Sequence, residues 1–216
     1  MFSRFDIVTM LLSLPAIILA LSVHEYAHAR AADRLGDPTP RLSGRLTLEP
    51  WAHLDPVGTL MLILFRFGWA KPVPINPRNF ADPRRGVLIT SLAGPLSNIA
   101  VSAAAALMLS FHVETWPLVG RIPYVYQMVF YVFLLNLFFA VFNLIPVPPL
   151  DGSKILMALL PGRQAYAYSR IEPYGPLILM LLLFTGVAGP IIGGLARALG
   201  SVILLVTNSL AGLFGL

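Results

Sequence analysis

Hydrophobic residues along this chain fall into long unbroken runs, separated by short stretches dense in proline, glycine and charge. The first run covers residues 7–23, holds no charged residue, and passes directly into His24-Glu25-Tyr26-Ala27-His28. A run of that length reads as the body of a membrane-spanning helix. The span is expected over residues 6–28, continuing as helix towards Leu35, with Pro15 as a kink point and Gly36-Asp37-Pro38 as the stop. Further spans are expected over residues 87–111, where frequent Ala and Ser permit close helix contact, over 124–144, and over 176–199. Residues 201–216 are apolar but short and read as a partial or tilted crossing.

Between the first two spans the pattern changes. Residues 41–49 place polar side chains at odd positions and Leu or Gly at even ones, a period of two that predicts a β-strand with one apolar face. Residues 51–56 read as a turn. Residues 57–69 are apolar except for Arg66 and too short to cross about 30 Å of hydrocarbon as a helix, so a re-entrant or interfacial element is expected. Pro72, Pro74 and Pro77 require extended backbone over 70–77. Further along, the third span ends at Asn143-Leu144-Ile145-Pro146-Val147-Pro148-Pro149-Leu150-Asp151-Gly152. The prolines break the helix and leave Asp151 beside a new one over 152–160, followed by a polar link over 163–172.

Composition turns these runs into a class. The chain is 57% hydrophobic and 12% charged, with a mean hydropathy of +0.78, against about a quarter charged in soluble domains. The expected fold is an all-α polytopic membrane protein: a transmembrane helix bundle with a small membrane-associated β-element. It reads as one domain over 1–216, with a core at 7–160 and C-terminal hydrophobic segments at 174–216. Without cysteine there are no disulfides, iron-sulfur clusters or thiolate-held zinc, so a metal must be held by histidine and carboxylates. The pI of 9.9 does not point to nucleic acid, because the bases are neither clustered nor interleaved with aromatics. They follow the positive-inside rule instead: eleven lie in the loops after the first and third spans, against Arg4, Arg121 and Arg197 on the other side, with Arg66 unassigned. This predicts a cell-membrane protein with its N-terminus outside and with His28 and Asp151 both on the cytoplasmic side. The N-terminal apolar run meets His-Glu rather than a small-residue cleavage site and is read as retained.

The chemistry starts at the histidines. Positions four apart share a helix face, so His24 and His28 can reach one metal ion while Glu25 offers a carboxylate to a bound water. A catalytic zinc takes three protein ligands and keeps one position open. Ala31 and Arg34 stand where a metzincin would have glycine and a third histidine, which excludes that pattern. Asp151 and Glu49 remain as candidates for the third ligand. Asp151 is favoured, since an ionised residue at a proline-broken span end is costly without a use, whereas Glu49 falls on the polar face of the predicted strand. Asn98, Asn143 and His53 each have a packing reading, as an interhelical hydrogen-bonding residue, a cap and a turn histidine. Each also has a functional one, in binding substrate backbone, stabilising an oxyanion or orienting a ligand. Gly189-x-x-x-Gly193 offers a face for homo-oligomer packing.

His24-Glu25-x-x-His28, Gly94-Pro95-x-x-Asn98, and Asn143-x-x-Pro146 leading to Leu150-Asp151-Gly152 occur in this order within residues 7–160. Together they resemble the site-2 protease family of intramembrane zinc metalloproteases. The resemblance implies that His24, His28 and Asp151 hold one zinc ion, that Glu25 is the general base, and that the partners are transmembrane protein substrates within the lipid bilayer. No stretch is long or polar enough for the PDZ or CBS domain that the family often carries. On residues alone a membrane metal transporter competes, since intramembrane histidines and carboxylates also mark ion pathways; transport would string further ligands along several spans. A non-catalytic zinc scaffold is opposed by the intact Glu25. An unwound substrate segment is expected to add to the edge of the 41–49 strand.

Overall fold

A computed structural model describes residues 7–58, 61, 70–112, 115–117 and 119–213. In chain order its α-helices are α1 (Ile7–Arg34), the single turns α2 (Thr39–Leu42) and α3 (Pro50–His53), α4 (Pro83–Ser110), α5 (Val125–Asn143), α6 (Asp151–Leu159), α7 (Gly162–Ser169), α8 (Gly175–Phe184) and α9 (Ala188–Leu213). Among the described residues α1, α4, α5 and α9 are long and apolar enough to cross a membrane. The 28 residues of α1 and of α4 rise about 42 Å, more than the roughly 30 Å of hydrocarbon. Only 22% to 33% of each apolar window is buried against protein, so lipid must cover the rest.

Local chemistry sets the helix ends. α1 stops at Gly36, whose φ of +102° is a left-handed conformation open to glycine and strained for other residues. The Asp82 carboxylate accepts the Arg85 amide at 3.1 Å and Pro83 occupies the first turn, which starts α4. α1, α4 and α5 form the centre of the bundle and meet through small side chains: Ala16 and Ala20 on α1, Gly94, Ser102 and Ala106 on α4, Ala140 on α5. α9 closes the other flank, with Gly200 against Leu137 and Phe133 of α5.

Two contacts place the short helix α6. A Cβ on Gly152 would lie 2.2 Å from the Leu144 carbonyl oxygen, so only glycine lets the first turn of α6 approach the end of α5. At the far end the Arg84 guanidinium donates to the carbonyls of Ala158, Leu159 (2.9 Å) and Leu160 (3.0 Å), pairing carbonyls that the helix itself leaves open. Asp151 is thereby presented on a short helix held at both ends.

The β-element does not form. Among the described residues there is no strand, and the one isolated bridge joins Leu54 to Ala70. Residues 41–49, predicted to be a strand, hold the end of α2, a turn with Gly44 at φ +69° and irregular backbone. Its leucines do not share a buried face: Leu42 is 82% and Leu48 55% exposed, whereas Arg45 is buried and donates to the Ala52 carbonyl. Pro38 and Pro40 start a helical turn there, and no neighbouring strand supplies ladder partners. The extended stretch predicted over 70–77 is found, running into a 3-10 turn at Pro77–Asn79. The re-entrant element predicted over 57–69 falls mostly outside the described residues. The C-terminal spans also move: residues 176–199 are divided at Gly186 (φ +73°), and 201–213 continue α9 rather than making a separate partial crossing. Arg197 consequently sits within α9 and not in a loop, and the predicted polar link contains α7.

Candidate metal centre

Two helices far apart in sequence bring together His24 and His28 from α1 and Asp151 from α6. The Nε2 atoms of the two histidines are 3.0 Å apart, and the Asp151 Oδ2 lies 3.0 Å from one and 3.1 Å from the other. All three residues are buried. The remaining ring nitrogens are committed elsewhere. His28 Nδ1 donates to the Thr90 carbonyl at 2.7 Å, and His24 Nδ1 donates to Asn98 Oδ1 at 2.7 Å. In its neutral form each imidazole carries one N–H, so with Nδ1 donating both Nε2 atoms present lone pairs to the carboxylate oxygen.

Such a cluster of electron pairs is repulsive without a cation, and its chemistry fits zinc. Tetrahedral zinc with nitrogen and oxygen ligands at about 2.0–2.1 Å separates them by about 3.3–3.4 Å, within a few tenths of an ångström of the spacing here. The site has also been given room. A Cβ on Gly94 would lie 2.4 Å from His28 Nε2 and 2.6 Å from His24 Cε1, so the glycine of α4 leaves the space that the rings fill. The edge of His24 packs against Phe139, ring centroids 4.9 Å apart, which closes the apolar side.

A cavity of about 120 Å³ opens beside the cluster, lined among others by Glu25, Val73, Ser91, Asn143 and Lys154. Glu25 follows His24 on α1, and its Oε2 accepts the Val73 amide at 3.1 Å. That bond ties the extended stretch after Ala70 to the carboxylate beside the metal cluster. Lys154 Nζ stands 4.0 Å from Asp151 Oδ1. A larger cavity of about 500 Å³ lies at the other end of α4 and α5, lined by Ser110, Tyr126, Phe130 and Asn208 among others, and holds none of the metal-cluster residues.

The sequence-predicted residues separate accordingly. His24, His28 and Asp151 converge, with Glu25 and Asn143 on the cavity. Asn98 is fully buried and reaches the cluster through His24. Asn143 donates to the Phe139 carbonyl of its own helix at 2.9 Å. Glu49, the rival third ligand, is exposed at the residue preceding α3, away from the group. His53 is fully buried beside α1, donates from Nε2 to the Thr47 carbonyl at 2.8 Å, leaves Nδ1 unpartnered, and lines neither cavity. Asn136 and Val73 were missed. Asn136 is an amide within an uncharged span, a polar signal of the kind that marks function in membrane helices. The Val73 amide has no side-chain signal at all.

The profile of Peptidase family M50 matches residues 121–186. Several relatives are named "Putative zinc metalloprotease". YwhC of Bacillus subtilis is 36% identical over 171 residues, 78% of this chain and 78% of its own. Rip2 of Mycobacterium tuberculosis is 30% identical over 178 residues, 77% of this chain and 64% of its own. One from Methanocaldococcus jannaschii is 27% identical over 157 residues, 72% of this chain and 74% of its own. No solved structure matches the chain.

Proposed function

The chain belongs to peptidase family M50, the site-2 proteases, and on that premise we propose that it is an intramembrane zinc endopeptidase that cleaves membrane-embedded protein substrates. The observation that carries the reading is the convergence of two imidazole nitrogens and one carboxylate oxygen, 3.0 to 3.1 Å apart, buried among helices apolar enough to cross a membrane. His24, His28 and Asp151 would hold one zinc ion, which when bound would supply a water acidified to a pKa of about 7 and polarise the scissile carbonyl. Glu25 is the general base. The Val73 amide holds its Oε2 and leaves the other oxygen free, which would take the proton from the attacking water and pass it to the leaving amine. A transmembrane substrate hides its carbonyls in helical hydrogen bonds and must unwind to be cut. With no strand over 41–49, the extended backbone beside Glu25 is the surface against which the unwound segment lies.

The positive-inside distribution of the basic residues supports a cell-membrane protein with the metal centre towards the cytoplasm. Transport of metal is disfavoured, because among the described residues the metal cluster is alone and does not continue along the spans. Glu25→Gln tests the assignment: zinc is retained while cleavage of a transmembrane substrate in proteoliposomes falls by at least about a hundredfold, the scale of general-base catalysis. Cleavage at the wild-type rate would remove Glu25 as the base.

A further inference from the structure

We propose that Asn136 is a positioning residue for the metal centre, selecting the ring tautomer of His24 through a relay of buried amides; this rests on the metalloprotease reading above. The relay begins at a main-chain carbonyl. Asn136, fully buried on α5, points its Nδ2 at the Val132 oxygen at 2.8 Å. A carbonyl only accepts, so the amide group of Asn136 has one orientation and its Oδ1 faces away from Val132. That oxygen accepts from Asn98 Nδ2 at 3.0 Å, and the same nitrogen donates to the Ala20 carbonyl at 3.0 Å. Both acceptors require the NH₂ of Asn98 on their side, which turns its Oδ1 to His24 Nδ1 at 2.7 Å. An acceptor there places the imidazole proton on Nδ1 and the lone pair on Nε2, the atom of the metal cluster.

If Asn98 turned over, its NH₂ would face Nδ1, the proton would move to Nε2, and the ligand would be lost. The same flip would set the Asn98 oxygen against two other oxygens. Asn136 contributes one of those two, so its amide holds Asn98, and through it His24, in the metal-binding form without touching either the ring or the ion. Partners beyond the ligand shell typically contribute tenfold to a hundredfold in metal affinity.

The experiment measures zinc dissociation constants of the purified full chain in detergent, by competition with a chelator, for wild type, Asn136→Leu, Asn136→Ala, Asn136→Asp, Asn98→Ala and Asn98→Ala/Asn136→Ala. Loss of the acceptor, in whichever of the Leu and Ala variants folds, weakens zinc about tenfold. Asp restores most of the affinity: buried in an apolar bundle it is held neutral, donates to Val132 and accepts from Asn98. The double variant binds no more weakly than Asn98→Ala alone, because the relay is already cut. In the metal-free protein, ¹⁵N spectra show the His24 proton on Nδ1 in wild type and divided between both nitrogens in Asn136→Ala. Wild-type affinity in Asn136→Ala, or losses that multiply in the double variant, would overturn the relay. Failure of the wild type itself to bind zinc would instead remove the metalloprotease reading on which the relay stands.

Discussion

Asp37 and Asp151 are both aspartates withdrawn from solvent beside a helix, one just past the end of α1 and one opening α6, and their surroundings differ in kind. The carboxylate of Asp37 is saturated with donors: Oδ1 accepts from the Thr39 hydroxyl at 2.5 Å, the Thr39 amide at 3.1 Å and Asn79 Nδ2 at 2.7 Å, and Oδ2 from the Asn76 amide at 2.7 Å. These bonds clasp the end of α1 to the segment that follows the extended stretch beside Glu25. Asp151 meets two imidazole lone pairs on Oδ2 and the distant Lys154 on Oδ1. A buried carboxylate given N–H and O–H groups is part of the frame. One that meets two ring nitrogens instead has the surroundings of a cation ligand.

The comparison breaks most visibly at Asp151. Asp151→Asn is expected to abolish zinc binding and cleavage, while the metal-free variant melts no lower than metal-free wild type, because the amide donates to an Nε2 and relieves the crowded lone pairs. Zinc analysis and thermal melts with and without chelator check both halves. A large destabilisation of the metal-free variant would mean that the aspartate is structural. Asp37→Asn should do the reverse. An NH₂ then faces donors, costing about 1–3 kcal/mol, read as a lower melting temperature at unchanged zinc content.

The smallest effect is in the pH dependence. Burial pushes the Asp37 carboxyl up, but the bonds from the Thr39 and Asn79 side chains and from the Asn76 and Thr39 amides outweigh it and hold the group below the usual carboxylate range. A depressed folded value means that the stabilisation is complete above the unfolded value of about 3.9 and is lost as pH falls through the folded one. The gap between the melting temperatures of wild type and Asp37→Asn should therefore be constant from pH 7 to about 5 and close below about pH 4. A constant gap at pH 3 would show that the clasp does not depend on the charge.

The elements that were legible in the chain are those whose physics is local. Long apolar runs bounded by proline and glycine located α1, α4 and α5 to within a few residues, and the prolines of 70–77 required extended backbone. Residues 41–49 carried an equally regular pattern and formed no strand, because a strand needs a neighbour for its hydrogen bonds and the alternation says nothing about whether one exists. The C-terminal spans were divided in the wrong place because uniformly apolar sequence carries no register, and Gly186 is the break that its positive φ makes real.

At the metal centre the same division holds. By itself the sequence determined that His24 and His28 share a helix face with Glu25 between them, since four-residue spacing follows from the helical repeat alone. Only the tertiary structure brought Asp151 rather than Glu49 to the two histidines, gave each imidazole its partner in Asn98 or Thr90, seated Gly94 against the rings and brought the Val73 amide to Glu25. Those contacts join α1 to segments far from it in the chain. They depend on which faces of three packed helices meet, and that is a property of the bundle that no single run of residues contains.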